Sequence, residues 1–570
     1  MAKGSDLDRV TAIVLSEMRS PLIVLLSVNA LGVAVMVIIP GVDGTPMGLF
    51  HAFYFMTYTA TTTGFGEIPR EFSDAQRMWA TVCLYMSVVA WIYAIGSIIR
   101  LVQNPHFTLA RAQARFARSV ARIREPFFII CGFGDTGSLL ARGLSDRKMN
   151  AVVIDSDIER VKALRLRDYK VLMPGLEGDA SVPKNLNDAG LSRDDCKGVV
   201  LLTGDDDVNL KIAVMTRLLN PKAEVICRST SRAHEEELIG LGSVVLADPF
   251  ETFARELGFA LHRPPLYTLD EWLVGAHGVK LSNLVSYPRG TWVLCGYGQL
   301  GRWLYRSLSE WGVKTIVVDP NISNADEVTH GIEGLATRAN LRDAGIADAV
   351  GVIAATHSDQ DNLAILLAAR SLNPDAQLIV RQNSHENELA FAAASADLIM
   401  QPSLVIARRI LLRLISPLIQ EFLEHLEQNA ELLSEVVIPR LASAIDEPDP
   451  ALWTLCINTA DAPGLCEYLQ QSGPLYLGDI FRDARDRNRP LDAVPLMLKR
   501  ESARMIMPDG EISLAAGDEI LVCSTRAAQA RARSNLANIY SLTYLATGAD
   551  MPRGWLMNRL WQGRAFSPEK

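Results

Sequence analysis

Two stretches near the N-terminus, Pro21 to Pro40 (PLIVLLSVNALGVAVMVIIP) and Met78 to Ile99 (MWATVCLYMSVVAWIYAIGSII), run for twenty or more residues without a single charge. Coiled as a helix, each is long enough to cross a hydrocarbon core about 30 Å thick. A cleaved signal segment would have a shorter apolar core and would leave the second stretch unexplained, so two membrane spans are expected. Arg9 and Arg19 precede the first span, and Arg100, Arg111, Arg115, Arg118, Arg122 and Arg124 follow the second. The loop between them sets Arg70 and Arg77 against Glu67, Glu71 and Asp74. This excess of arginine on the outer flanks places both termini in the cytoplasm.

The remaining chain is too long for one core: 570 residues leave room for several domains. A formal net charge of -9 argues against a nucleic-acid partner, which calls for a basic stripe. Eight cysteines without any C-x-x-C pair are expected to be reduced core residues of a cytosolic body.

Between the spans lies Met47 to Pro69, MGLFHAFYFMTYTATTTGFGEIP. It is too apolar for a water-exposed linker and too short for a further crossing, so it must dip into the membrane and return. Irregular backbone at that depth is tolerated only where protein buries it or it lines a water-filled cavity, which implies a pore. Gly48 to Thr59 is the expected descending half-helix, and Thr62, Thr63, Gly64, Phe65 and Gly66 the extended return. Glycines at alternate positions let successive carbonyls turn to one side, where they replace the hydration shell of a cation. Thr62 would add a ring of hydroxyls at the inner mouth.

The run Thr59-Ala60-Thr61-Thr62-Thr63-Gly64-Phe65-Gly66-Glu67 resembles the potassium-channel selectivity filter, usually written T-V-G-Y-G-D, with Phe65 for Tyr, Glu67 for Asp and Thr63 for Val. The resemblance implies a homotetramer in a lipid bilayer, that of the bacterial inner membrane, with potassium as the permeant ion. Thr63 speaks for the alternative of a nonselective cation channel. The mid-membrane hinge glycine of such channels is replaced by Ser87-Val88-Val89-Ala90, with Gly96 nearer the cytoplasmic end.

After a basic linker the pattern becomes apolar strand, glycine turn, amphipathic helix, apolar strand ending in Asp, and it occurs twice. Phe127–Cys131 leads into Gly132-Phe133-Gly134-Asp135-Thr136-Gly137, and 164 residues later Trp292–Cys295 leads into Gly296-Tyr297-Gly298-Gln299-Leu300-Gly301. The following strands end on Asp155 and Asp319, each 18 residues beyond the last glycine. Glycines so placed admit a phosphate to a helix N-terminus, and the acid accepts from ribose hydroxyls while disfavouring a 2′-phosphate. NAD or NADH fits best, with ADP or ATP as alternatives.

The repeat continues beyond the turns, with Asn220-Pro221…Ile226-Cys227-Arg228 matching Asn373-Pro374…Ile379-Val380-Arg381. The whole is similar to the RCK, or TrkA-N, domains of potassium channels and transporters. That resemblance implies helical crossovers at the subunit contact and adds Thr203 and Asp179 to the first nucleotide pocket. Leu335 stands where Asp179 does, which favours the first copy as the regulatory site. The run Asp205-Asp206-Asp207 offers carboxylates to a divalent cation.

The expected architecture is an α-helical membrane pore domain, α/β Rossmann-like doubly wound domains and a small α+β C-terminal lobe. Its segments are 1–107 (pore), 108–125 (linker), 126–289 and 290–436 (the two RCK units), 437–530 (C-lobe) and 531–570 (tail, where Trp555, Leu556, Leu560 and Trp561 sit among arginines). An enzyme, in the form of a membrane-anchored NAD-dependent oxidoreductase, would need a substrate domain with a placed acid or base, and no such motif occurs. His234 and His385 recur in both copies beside glutamates, as structural residues.

Overall fold

The computed structural model describes residues 5–549 apart from 69, 230–231, 243, 275–279, 282–285, 446 and 449. Trp555, Leu556, Leu560 and Trp561 of the expected tail lie outside the described residues. The chain divides into two compact units, one made of Met1–Cys131, Met149–Val199 and Met215–Ala223, the other of Gly132–Lys148, Val200–Val214 and Glu224–Lys570.

The first unit opens with four helices: α1 (Ser5–Ile38), α2 (Leu49–Ala60), α3 (Asp74–Gln103) and α4 (Pro105–Val120). Helices α1 and α3 hold the two apolar stretches and are long and apolar enough to cross a membrane. Leu22, Ile23, Leu26, Leu84, Val89 and Ile92 stand exposed on them, a surface suited to lipid or to further copies. Pro21, expected at the start of the first span, lies inside α1, which begins earlier, at Ser5.

Where α3 begins, Ser73 and Gln76 form a capping box. Gln76 Nε2 and Ser73 Oγ also donate to the Ile39 and Pro40 carbonyls at 3.1 and 2.8 Å, tying this end to the end of α1. Gly32 lets α2 dock, since a Cβ there would meet the Met56 side chain at 2.5 Å.

The basic linker is helical from Pro105, three residues before its expected start, and ends at Val120. Arg193 anchors that end. Its Nη1 donates to the Val120 carbonyl at 2.7 Å and its Nη2 to the Ile123 carbonyl at 2.5 Å, while the guanidinium lies over the Phe127 ring and pairs with Asp195.

Two six-stranded sheets follow. Strands β1 (Phe127–Cys131), β2 (Asn150–Asp155), β3 (Gly175–Glu177), β4 (Cys196–Leu201), β5 (Glu224–Arg228) and β6 (Val244–Ala247) lie in the order β3-β2-β1-β4-β5-β6. Strands β7 (Trp292–Cys295), β8 (Thr315–Asp319), β9 (Gly331–Glu333), β10 (Gly351–Ala354), β11 (Gln377–Arg381) and β12 (Leu398–Met400) lie in the order β12-β11-β10-β7-β8-β9. Read from opposite ends these are one topology, the doubly wound order with its switch point beside the first strand. The registers repeat too: Cys131 pairs with Ile154 and Asp155 with Glu177, as Cys295 pairs with Val318 and Asp319 with Glu333.

Within the second unit the two copies exchange helices. The crossover helix Pro249–His262, continuous with β6, packs on Gln299–Glu310 of the second copy, where Ser307 Oγ donates to the Ala254 carbonyl at 2.8 Å. A Cβ on Gly258 would meet Ser307 Oγ at 2.8 Å and Trp311 Nε1 at 2.9 Å. In return Pro402–Ile415 packs on α5 (Asp135–Asp146), the helix after the first glycine turn, with Leu411 against Gly143.

The C-terminal lobe joins β13 (Ala451–Cys456), β16 (Ala493–Arg500), β17 (Ala503–Ile506) and β18 (Glu519–Ser524) in the order β13-β18-β16-β17, beside a hairpin of β14 (Arg482–Asp483) and β15 (Asp486–Pro490). It continues past residue 530, where the tail was expected to start: helices Arg526–Leu536 and Ile539–Thr547 bury Leu536, Leu542 and Leu545 in its core.

Replacing Arg193 by Ala leaves two carbonyls at the end of α4 without their donor, and a buried unsatisfied group costs about 1–3 kcal/mol. We expect Arg193→Ala to lower unfolding free energy by about 2 kcal/mol, measured by denaturant titration in detergent, with Arg193→Lys recovering only part because a lysine cannot present the fork.

Candidate functional site

In the pore loop the sign of φ alternates. Thr62 (φ 59), Gly64 (φ 67) and Gly66 (φ 88) are left-handed, while Thr63 and Phe65 between them are not. Alternation of this kind rotates successive peptide planes so that their carbonyls can face one side, the requirement for a cation ladder. Thr62 adopts a conformation that costs a non-glycine residue roughly 1–3 kcal/mol.

The surroundings hold it there. Thr63 N and Gly64 N both donate to the Tyr58 carbonyl at the end of α2, at 2.9 and 3.4 Å. Tyr58 Oη donates to the Gly66 carbonyl at 2.5 Å, and Phe65 packs against the Tyr54 and Tyr58 rings. The hydroxyl that distinguishes Thr63 from Val is spent on Thr61, Oγ1 to Oγ1 at 2.9 Å. Glu67 takes Phe72 N at 2.8 Å and a two-pronged Arg77 at 2.9 and 3.2 Å, which ties the outer end of the loop to α3.

The second glycine turn lines a cavity of about 1240 Å³ at the carboxyl ends of β7, β8, β10 and β11. Gly296 (φ 99) makes the bend, and a Cβ there would meet the Thr356 nitrogen at 3.1 Å. Gly301 is needed for packing, since a Cβ would stand 2.0 Å from the Gly296 carbonyl oxygen. Gly298 is different: its φ of -71 suits any residue, and a Cβ there would project into open space. Glycine at that position keeps a cradle open at the N-terminus of the helix Gln299–Glu310, which fits a phosphate. Asp319 fixes the turn, its oxygens accepting from Tyr297 N at 2.7 Å and Asn321 N at 2.8 Å.

In the first copy Gly132 (φ 100) bends against the Leu202 carbonyl, which a Cβ would meet at 2.7 Å. Gly134, Asp135, Thr136 and Gly137 line a smaller cavity of about 210 Å³ with Leu202, Arg228, Phe250, Arg381 and Asn383. Phe133 is buried. Asp155, at the end of β2, is buried and accepts from Asp157 N at 2.7 Å. Asp179 is exposed, and its carboxylate accepts from Ser181 N at 2.7 Å; in the second copy Thr337 caps the next helix instead, through Asn340 N. The Asp179-to-Leu335 change is therefore also an exchange of one turn cap for another. Thr203 bonds Asn209 Oδ1 at 2.7 Å, as Thr356 bonds Asn362 Oδ1 at 2.7 Å, a staple common to both copies.

Asp206 and Asp207 open the helix Asp206–Leu219, where negative charge meets the helix dipole. Asp207 also bonds His234 at 3.1 Å, raising that imidazole above its ordinary value, and Asp205 accepts from Val208 N. Among the described residues no group of three His, Cys, Asp or Glu side chains is arranged to hold a metal ion.

Sequence reasoning missed the cations. Arg302, Arg306, Arg338 and Arg381 line the larger cavity, Arg228 and Arg381 the smaller. A signal was present: both copies end their fifth strand in arginine, at the edge where doubly wound sheets bind ligands.

Residues 23–104 match the Ion channel family, and residues 128–247 and 292–402 each match the TrkA-N domain. The chain thus joins a segment similar to ion channels to two segments similar to TrkA-N domains, and it is homologous to potassium channel proteins. Potassium channel protein 1 of Methanocaldococcus jannaschii is 24% identical over 228 residues, 40% of this chain and 66% of that protein. Probable potassium channel protein 2 of the same organism is 26% identical over 203 residues, 35% and 55%. An uncharacterized protein of Methanothermus fervidus is 28% identical over 218 residues, 38% of this chain and 33% of that one. The matched region thus spans between a third and two thirds of these relatives. Among solved structures, the GsuK channel bound to NAD shares the fold at a TM-score of 0.50 and 16% identity, covering 93% of this chain and 99% of that one.

The two glycines divide the labour, which a pair of variants tests. Gly301→Ala should lower thermal stability, because something must move away from the Gly296 carbonyl. Gly298→Val should melt like the parent yet weaken nucleotide binding to the second copy about tenfold, or ~1.4 kcal/mol, in calorimetric titration.

Proposed function

We propose that this protein is one subunit of a homotetrameric potassium channel of the bacterial inner membrane, both termini cytoplasmic, gated by nucleotide binding to its TrkA-N domains. The observation that carries the reading is the alternating backbone of Thr62 to Gly66 on a loop between two membrane spans. In a single chain that loop is exposed along Thr61 to Ile68, and bare polar backbone at membrane depth requires other copies around a shared axis. The engagement of Thr63 Oγ1 with Thr61 within the loop supports the potassium-selective reading.

For the ligand, the open cradle at Gly298 and the acid at Asp319 fit a phosphate and a ribose with a free 2′-hydroxyl. A cavity of about 1240 Å³ is roomy enough for a dinucleotide, which favours NAD or NADH over ADP or ATP there. The first copy carries the same fingerprint in Gly132, Gly134, Gly137 and Asp155, so both copies are nucleotide sites. The GsuK channel, which shares this fold, has been solved with NAD bound, in keeping with that assignment. A ligand moves the pore only through a difference in affinity between conformations, and α4, clamped by Arg193, is the element that carries the change toward α3. The proposed role is conduction and its control, without catalysis.

Reversal potentials of the purified channel in lipid vesicles under mixed potassium and sodium gradients test the pore. Potassium should be preferred, and equal permeability would return the nonselective reading. Gly66→Ala should abolish flux while leaving the cytoplasmic domains folded, because a β-carbon is strained at φ 88.

Calorimetry with NAD on the full-length protein should show two sites per chain. Asp155→Ala and Asp319→Ala should each weaken one of them by about 1.5–3 kcal/mol, roughly ten- to a hundredfold. Unchanged binding in both variants would leave the acids a packing role alone.

A further inference from the structure

The two glycine turns have one residue in common. Arg381, the last residue of β11, lines the large cavity at Gly296 and Gly298 and also the small cavity at Gly134 to Gly137. The helix exchange makes this possible, because it brings the carboxyl end of β11 and the start of Pro402–Ile415 over the first copy's turn. The side chain is held in place from one face: its guanidinium carbon lies 4.7 Å from the centre of the Phe250 ring. Its Nε is buried and has no hydrogen-bond partner among the described residues.

Charge around it is poorly matched. Asp359, whose charge favours its protonated form, already accepts from Asn383 N, Asn383 Nδ2, Ser384 N and Asn387 Nδ2 at 2.6 to 3.1 Å. Arg228, the matching residue of β5, lines the small cavity as well and repels it. Two guanidiniums beside a glycine turn at a helix N-terminus form an anion site, and the fork of an arginine matches phosphate oxygens two at a time. The arrangement is asymmetric: Arg381 borders both cavities, whereas Arg228 borders only the small one.

We propose that Arg381 is a phosphate-binding residue shared by the two nucleotide sites, so that a nucleotide held at one weakens binding at the other. This rests on the reading of both turns as nucleotide sites. One guanidinium bonded to a phosphate in the large cavity has fewer donors left for the small one, and two phosphates brought toward a single cation repel each other. The consequence is a channel that senses which of its two sites is filled, in place of two sensors that add.

The test is calorimetric titration of the full-length protein in detergent, with ADP as the probe. The parent is compared with Gly298→Val, which fills the second cradle, and Gly134→Val, the matching change in the first, each with and without Arg381→Gln. In the proteins that keep Arg381, blocking either site should tighten the other about fivefold or more, the usual range of coupling between sites. Arg381→Gln should weaken both sites and make each indifferent to whether the other is blocked. Arg381→Lys, which keeps a cation and a stem over Phe250, should restore part of the affinity and part of the coupling, a recovery that a merely structural role would not give. Equal affinities in the blocked and unblocked proteins, or an Arg381→Gln variant that binds ADP as the parent does, would overturn the proposal. Absence of binding of both ADP and NAD to the parent would overturn the nucleotide reading itself.

Discussion

The exchange of crossover helices between the two TrkA-N copies is the contact on which the part of the chain beyond the membrane helices depends. Neither sheet completes its own core: Phe250, Phe253, Leu257 and Leu261 of the first copy are buried with Trp292, Leu300 and Leu304 of the second. Burial of side chains this size contributes about 1.5–3 kcal/mol each, so this shared core is a large part of what holds the second copy's sheet. The exchange reaches into the C-terminal lobe as well. Leu266, Leu269 and Trp272 of the first copy share a core with Leu418, Phe422 and Leu426 of the second and with Val494, Leu496 and Leu521 of the lobe sheet. Trp272 Nε1 also donates to the Glu447 carbonyl at 3.0 Å. One lobe therefore covers the crossover helices of both copies, which explains why the first repeat is followed by none of its own.

The pore obeys a different economy. Its central feature is a strained backbone, and the strain is met by groups that lie nearby in sequence: Tyr54 and Tyr58 behind the loop, Glu67 held to Arg77 in front. Arg70 closes the outer side, with Nη1 2.7 Å from Asp43 and Nη2 donating to the Thr45 and Pro46 carbonyls. Because these partners are local, one chain can shape this loop by itself.

That locality also decides what the sequence discloses. The irregular loop between the spans, the glycine turns and the strand ends at Asp155 and Asp319 were legible as local geometry because each depends on residues close together or at fixed spacing along the chain. The doubly wound class followed from the repeated pattern of strand, turn and helix. Arg228 and Arg381 were visible as matched residues, yet the place of Arg381 beside the first copy's turn depends on the helix exchange, a contact between segments more than a hundred residues apart. The lobe's extent was hidden for a similar reason: Leu536, Leu542 and Leu545 sit among alanines, arginines and polar residues and look like a tail until the sheet they cover is known. The linker start at Pro105 was missed although proline suits the first turn of a helix.

Covalent fusion of the two copies frees them to differ. In a pair of identical subunits each turn would face the same partner residues, and any shared cation would serve both sites alike. Here Phe250 begins one crossover helix and Ser403 stands at the matching place in the other. Only the phenylalanine offers a ring, and Arg381 lies over it. The same freedom is seen at Asp179 and Leu335, where one copy caps its turn with a carboxylate and the other with Thr337. The carboxylate is thereby absent from the larger cavity, whose corresponding edge presents Leu335, Thr337 and Arg338. An anion entering there meets one cation more and one acid fewer. The asymmetry that favoured the first copy on sequence grounds is thus, in physical terms, an exchange of Asp179 and Val182 for Leu335 and Arg338 along the same turn.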